Sequence, residues 1–294
     1  MATQKIISVS RRTDIPAFYS EWFYNRVEQG FVQVKKQVGA KTAKKILLGV
    51  KDVLCFVFWT KNPGPMLDKL HLLDENGYQY YFQFTLTPYD KNIESNLPKK
   101  KKIIQTFIKL SEKIGKKKVI WRYDPILLNH EIDLDYHKKY FAEFAEKLHG
   151  FTEKCIISFI DSHQISKDNK QRLKLAKIND ETMKELGKII YRTGEKYDMT
   201  IETCAEKIDL TQMGIPSAKC IDDRLTGKIL GRKLSIGKDR SQRKLCKCVT
   251  SIDIGTDNTC LHQCLFCYAT KNIANARFNN QKHNKNSPVL VEDI

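Results

Sequence analysis

Near the C-terminal end, the run CLHQCLFCY sets Cys260, Cys264 and Cys267 at C-x3-C-x2-C spacing, with Tyr268 next to the last. Three thiolates within eight residues can converge on one metal centre, yet they leave a four-iron cluster one protein ligand short. An iron without a protein ligand is an open coordination site, and open sites do chemistry. The competing reading is a structural zinc ion with its fourth ligand elsewhere, for which His262 in the same run is a candidate. The spacing speaks against zinc, which usually pairs C-x2-C with a second C-x2-C or with two histidines.

The other cysteines fall into two kinds. Cys55 and Cys155 lie in apolar runs and read as small core hydrophobes. Cys204 and Cys220 flank the stretch TCAEKIDLTQMGIPSAKC, and Cys246 and Cys248 form a C-x-C pair. Four thiols close a 4Fe–4S cluster completely or fill a tetrahedral zinc site, so Cys204, Cys220, Cys246 and Cys248 are grouped as an auxiliary metal site. The alternative is four unrelated free thiols.

Composition bounds the setting. The chain has 294 residues, 41% hydrophobic and 10% aromatic, enough for one large barrel domain or two ordinary ones. It contains no run of 18 or more apolar residues, which argues against a membrane span. The start, MATQKIISVSRRTD, shows no signal-peptide core, so a cytoplasmic, reducing location is expected. Nine cysteines in that compartment point to metal or redox chemistry rather than disulfides. The net charge of +17 sits largely in lysine blocks at 35–36, 41–45, 99–102 and 116–118. Such blocks attract polyanions and make nucleic acid a candidate partner. No aromatic residues interleave them and no RNA-binding signature appears, so solvated helix ends and turns explain them more simply.

Positioning the cysteines falls to alternating elements. Strands are expected at Ile6–Ser10, Val53–Thr60, Tyr80–Thr87, Val119–Tyr123, Cys155–Ile160, Met199–Ala205 and Ser251–Ile254. Helices are expected at Phe18–Gln29, Pro65–Glu75, Lys99–Ile114, Leu134–Leu148 and Asp180–Tyr197, with Gly77, Gly115 and Gly150 as stop signals. Seven strand–helix units with right-handed crossovers predict an α/β fold, a TIM-barrel-like (β/α) barrel, complete or slightly open. Residues 1–205 would carry units one to six. Residues 206–294 would be a cysteine-rich region completing the same barrel, with the cluster loop in its last unit. The strand ends turn polar together (Ser10 to Asp14, Thr60 to Asn62, Arg122 to Asp124, Glu202 to Glu206), so a polar cavity is expected at one mouth.

The cysteine loop resembles that of radical S-adenosylmethionine (SAM) enzymes, in which three Cys hold a 4Fe–4S cluster and SAM chelates the fourth iron. Beyond the loop, SVSRRTDIPAFYS, VFWTKNP, YYFQFTLTPY, VIWRYDPI, ISFID, TCAE, AKCID, SIDIG and CLHQCLFCYA, in order, resemble the domain of unknown function 1848 family. That resemblance covers essentially the whole chain and implies a radical-SAM-like iron–sulfur protein. One departure is that Leu245 and Lys247 stand where family-like chains tend to carry glycine before each cysteine of the C-x-C pair. A second is that the loop follows the last strand, whereas radical SAM enzymes carry it after the first; a circularly permuted arrangement accounts for this.

The implied function is reductive cleavage of SAM and hydrogen abstraction from an unknown small-molecule or macromolecular substrate, fed by a reducing partner such as flavodoxin or ferredoxin. A second 4Fe–4S cluster or zinc would occupy the auxiliary site. The alternative from another class is a non-catalytic nucleic-acid-binding metalloprotein. In the permuted arrangement SRRTD replaces the glycine-rich stretch that holds the SAM amino group. Ser10, Thr13 and above all Asp14 are then candidates for that ammonium, and Arg11 or Arg12 for the SAM carboxylate. Asp14 could instead cap the following helix.

Overall fold

Seven parallel strands make one sheet: β1 (Lys5–Val9), β4 (Val53–Thr60), β5 (Tyr80–Thr85), β6 (Val119–Ile126), β7 (Lys154–Phe159), β8 (Thr200–Thr203) and β9 (Ile252–Asp253). Two further strands, β2 (Phe31–Lys35) and β3 (Ala43–Leu47), form a separate antiparallel pair. The computed structural model describes residues 4–292 except 36, 37, 41, 162 and 164; Lys36 and Lys41, from two of the lysine blocks, lie outside the described residues.

The sheet order is β8-β7-β6-β5-β4-β1-β9, so each strand pairs with its neighbour in sequence and β9 adds beside β1. Five helices follow strands: α2 (Ser20–Glu28), after the single turn α1 (Ile15–Phe18), then α4 (Lys100–Ile114), α5 (Leu134–Leu148) and α7 (Asp180–Lys196). Their starts are local chemistry. The side chains of Asp14, Asp133 and Asn179 accept the free N–H groups of α1, α5 and α7. The shorter α3 (His71–Glu75), α6 (Lys167–Leu173), α8 (Asp223–Leu230) and α9 (Ile273–Gln281) complete the list.

Strand periodicity assigns two faces. Along β4, Phe56 and Phe58 point into a large core with Trp22 and Phe23 of α2, Phe107 of α4, Phe141 of α5 and Ile190 of α7. Cys55 and Val57 point the other way, and there they meet Tyr81, Ile120 and Ile156 together with Ala218, Ile221, Cys246, Cys248 and Val249. Cys55 and Cys155 are fully buried, Cys155 on the helix side.

The barrel expectation is corrected here. The sheet is open: among the described residues β8 and β9 pair with one strand each and not with each other. The reason lies in what covers the second face. A closed barrel fills its interior with side chains from opposite strands. Here the chain between β8 and β9, with α8, covers that face, and β9 has only two residues with which to extend the edge. Among the described residues no helix is long and apolar enough to cross a membrane.

Candidate active site and thiol groups

A cavity of about 390 Å³ opens where the strands end. It gathers Ser10 to Asp14 after β1, Trp59 to Lys61 from β4, Arg122 and Asp124 from β6, Ser158 to Asp161 after β7, and Cys204 after β8. Cys220, Cys246 and Cys248 also line it, as do Cys260, His262, Cys264 and Cys267. All seven cysteines outside the strands of the main sheet therefore face one space.

The loop that carries Cys260, Cys264 and Cys267 is fixed by backbone contacts. The Asn258 N–H donates to the Ala269 carbonyl and closes its base at 2.9 Å. Asn96 N–H donates to His262 O and Leu265 N–H to Ile93 O, tying the loop to the stretch after β5. Gln263, at φ +58°, makes the sharp bend between the first two cysteines. The hydroxyls of Tyr19 and Tyr268 donate to Thr259 O and Arg11 O, at 2.7 and 2.8 Å.

Each loop cysteine is partly exposed as a residue, and each sulfur faces its own donor or cation. Burial pushes the Cys260 thiol up, and the backbone N–H groups of His262 and Asp14 oppose this by favouring the thiolate. Burial also raises Cys264, against the pull of the Lys61 ammonium. The Thr270 N–H donates to Cys267 Sγ at 3.2 Å. Lys61 itself is ion-paired to Glu94 at 2.6 Å and stands over the Phe266 ring at 5.1 Å. Glu94 is buried and also paired with Lys100, so that lysine of the 99–102 block is not a free surface charge. Burial opposes the Glu94 charge, but the two ammonium groups hold its carboxyl below the usual range.

SRRTD is arranged around two carboxylates. Asp14 caps α1 through Ala17 N–H at 3.0 Å, accepts Lys61 N–H at 2.7 Å and accepts His262 Nε2–H at 2.7 Å. Both its oxygens are thus engaged within the protein. Ser10 Oγ donates to Asp253 at 2.5 Å, and Arg11 N–H and Arg12 Nε–H donate to the same carboxylate at 2.8 and 3.3 Å. Asp253 also accepts from Ser8 Oγ and Gly255 N–H. Burial opposes its charge, yet Arg12 and these donors keep the carboxyl below its usual range. Thr13 Oγ1 and His262 Nδ1 differ: both are buried without a hydrogen-bond partner. Asp253 escaped the sequence reading. Its signal is an acid inside the short apolar run SIDIG, where the β1–β9 register sets it opposite Ser8.

The other four thiols are linked to one another. Cys220 and Cys204 sulfurs are 3.3 Å apart, and Cys248 is a side-chain hydrogen-bond partner of both Cys220 and Cys246. Arg122 Nη1 donates to Cys220 Sγ at 2.9 Å, and Ile221 N–H to Cys248 Sγ at 3.4 Å. Among the described residues no group of three or more His, Cys, Asp or Glu side chains is placed so that it could hold a metal ion without side-chain movement. Donor chemistry nevertheless fits a metal in both places: thiols met by N–H groups and cations rather than by apolar walls alone.

The family model described as "Domain of unknown function (DUF1848)" matches residues 6–269. No curated protein matches. One similar solved structure is titled as that of a "putative alpha-L-fucosidase" from Bacteroides thetaiotaomicron VPI-5482. It is 12% identical over 69% of this chain and 86% of that one, with a TM-score of 0.27, a likeness that carries no argument about fold or function.

Proposed function

We propose that this chain, which belongs to the domain of unknown function 1848 family, is an enzyme that holds a 4Fe–4S cluster on Cys260, Cys264 and Cys267 and binds SAM at the iron they leave open. When bound, the cluster supplies one electron that cleaves SAM reductively, and the fragment released takes a hydrogen atom from a substrate in the cavity. The observation that carries this reading is the meeting of three donor-faced thiols with a cavity at the strand ends. Its volume, about 390 Å³, falls in the range of small-molecule sites.

The chain's own residues bind and orient. Burial keeps the Cys260 and Cys264 thiols up, and a bound metal would supply the charge that their backbone N–H donors and the Lys61 ammonium only begin to supply; Cys267 Sγ accepts Thr270 N–H. His262 Nε2 meets Asp14 at 2.7 Å, and its Nδ1, without a partner in the protein, is offered to the amino-acid end of SAM. The Thr13 hydroxyl is free to donate to the SAM carboxylate. Asp14 then acts through His262 rather than by direct contact, and Ser10, Arg11 and Arg12 hold the turn through Asp253. The reading puts the protein in the cytoplasm, where free thiols persist and a reducing partner such as flavodoxin or ferredoxin supplies the electron.

Anaerobically reconstituted protein given dithionite and SAM should form 5′-deoxyadenosine, and Cys264→Ala should abolish it. Zinc bound by the loop, with no iron and no SAM cleavage, would sink the reading.

A further inference from the structure

The four thiols outside the loop carry an inference that does not depend on SAM chemistry. Their spacing discriminates between two kinds of metal centre. Four thiolates on one tetrahedral ion with metal–sulfur bonds of 2.3 Å stand about 3.8 Å from one another. A four-iron cube places an iron under every ligand sulfur and spreads those sulfurs to roughly 6 Å. The sulfurs of Cys204 and Cys220 are 3.3 Å apart, and Cys248 is a side-chain hydrogen-bond partner of both Cys220 and Cys246. That is the scale of a single ion.

The surroundings agree. A zinc ion with four thiolates carries two net negative charges, which a buried site must compensate. The Arg122 guanidinium is buried and donates to Cys220 Sγ at 2.9 Å, and Ile221 N–H donates to Cys248 Sγ at 3.4 Å. The site also lies where the fold needs a cross-link. Between Cys204, just after β8, and Ser251, just before β9, the regular structure is one eight-residue helix and one short 3₁₀ turn. Despite this, the stretch covers a whole face of the sheet. A segment with so little regular structure gains stability from a metal that ties its ends together.

We propose that Cys204, Cys220, Cys246 and Cys248 hold one zinc ion with four sulfur ligands, a structural site that pins the segment 204–251 to the sheet. The thiols are now linked in series, and rotation of their side chains gathers them around one point. The C-x-C pair supplies two ligands from one end of the segment, Cys204 one from the other end, and Cys220 one from the middle.

The test uses the full-length protein, purified in air so that oxygen-labile iron at the loop is lost, followed by metal analysis. About one zinc per chain is expected. It should remain in Cys264→Ala and disappear in Cys248→Ala. Zinc that survives Cys248→Ala overturns the proposal, as does a Cys204–Cys220 disulfide in metal-free protein. So does a full complement of cluster iron and sulfide in anaerobically purified Cys264→Ala. Should Cys248→Ala fail to fold, X-ray absorption at the zinc edge of the intact protein decides. Four sulfurs near 2.3 Å are expected, and a nitrogen or oxygen in that shell overturns the site. Failure of SAM cleavage leaves each of these measurements unchanged, so the two proposals fail separately.

Discussion

Two groups of thiols share one cavity wall and differ in almost every other respect. Cys260, Cys264 and Cys267 are partly exposed, and each faces a separate donor. Cys220, Cys246 and Cys248 are buried, only Cys204 of that group is partly exposed, and the four are linked by side-chain hydrogen bonds within an apolar layer. On the proposed readings, three metal ligands with space in front of them leave room for a reacting molecule, whereas four ligands around one ion leave none. Open and closed metal sites divide in this way between catalysis and structure. The difference teaches that number and burial, more than residue type, separate the two proposed roles.

The sharpest way to break that comparison is to remove one thiol from each group and measure both stability and SAM cleavage. Cys248→Ala should lower the unfolding free energy by on the order of 5 kcal/mol, since zinc binding is coupled to folding. Cys264→Ala should leave thermal stability within about 1 kcal/mol of the parent, because its sulfur faces a cavity, while SAM cleavage falls to background. Equal losses of stability in the two variants would erase the distinction.

A step down in size, Asp253 tests whether the turn behind the loop is held by charge. Its carboxylate takes Ser8, Ser10, Arg11, Arg12 and Gly255 at once. Asp253→Asn leaves the Arg12 guanidinium without its carboxylate, while Arg11 keeps Asp239 and Ser251, and a loss of about 3 kcal/mol is expected in denaturant unfolding. SAM affinity should fall with it, because Thr13 loses its fixed position. Normal stability together with normal affinity would relegate SRRTD to an ordinary surface turn.

Much of the frame was legible in the sequence, for a definite reason. Runs such as VLCFVFWT are apolar at successive positions because both faces of β4 are covered, and its bounds match the expected ones. The pair β2 and β3 was not legible. AKKIL offers one buried residue, Ile46, among lysines and reads as a charge block. On closure of the sheet the sequence misleads, since seven units in order point to a barrel, yet the sheet is open. The choice rests on what lies against Cys55 and Val57, and Cys246, Cys248 and Val249, distant in sequence, lie there. At the site, spacing revealed the three loop cysteines, while the engagement of Asp14 by His262 and Lys61 depends on contacts across three segments.

The helix side of the sheet offers the contrast to the thiol side, because apolar side-chain packing with a few buried hydrogen bonds holds it, without a group of linked thiols. Gly194 in α7 lies so close to β8 that an added Cβ would stand 2.6 Å from Ile201 Cγ1 and 2.9 Å from the Met199 carbonyl oxygen. Gly194→Ala should therefore cost about 2 kcal/mol by overpacking. Zinc and iron content should stay at parental levels, whereas metal loss would mean that the two faces are not independent.

The smallest effect expected is a pH dependence on that same helix side. His137 in α5 is buried between Tyr123 OH, at 2.8 Å from Nδ1, and Leu127 O, at 2.9 Å from Nε2. Burial lowers its pKa from 6.5 to about 4. The folded state therefore keeps the imidazole neutral where the unfolded chain already binds a proton. The unfolded state binds more protons across this window, so stability is full above pH 6.5 and falls as the pH drops from 6.5 toward 4. Between about pH 7.5 and 5.5 the loss attributable to this group is about 1 kcal/mol. His137→Gln keeps a polar partner for Tyr123 but has no proton to bind, so the difference between variant and parent should shrink by that amount on acidification. Denaturant unfolding at several pH values measures it directly. A difference that stays constant with pH would mean that His137 titrates alike in both states, and that the helix side is open to water where its packing is tightest.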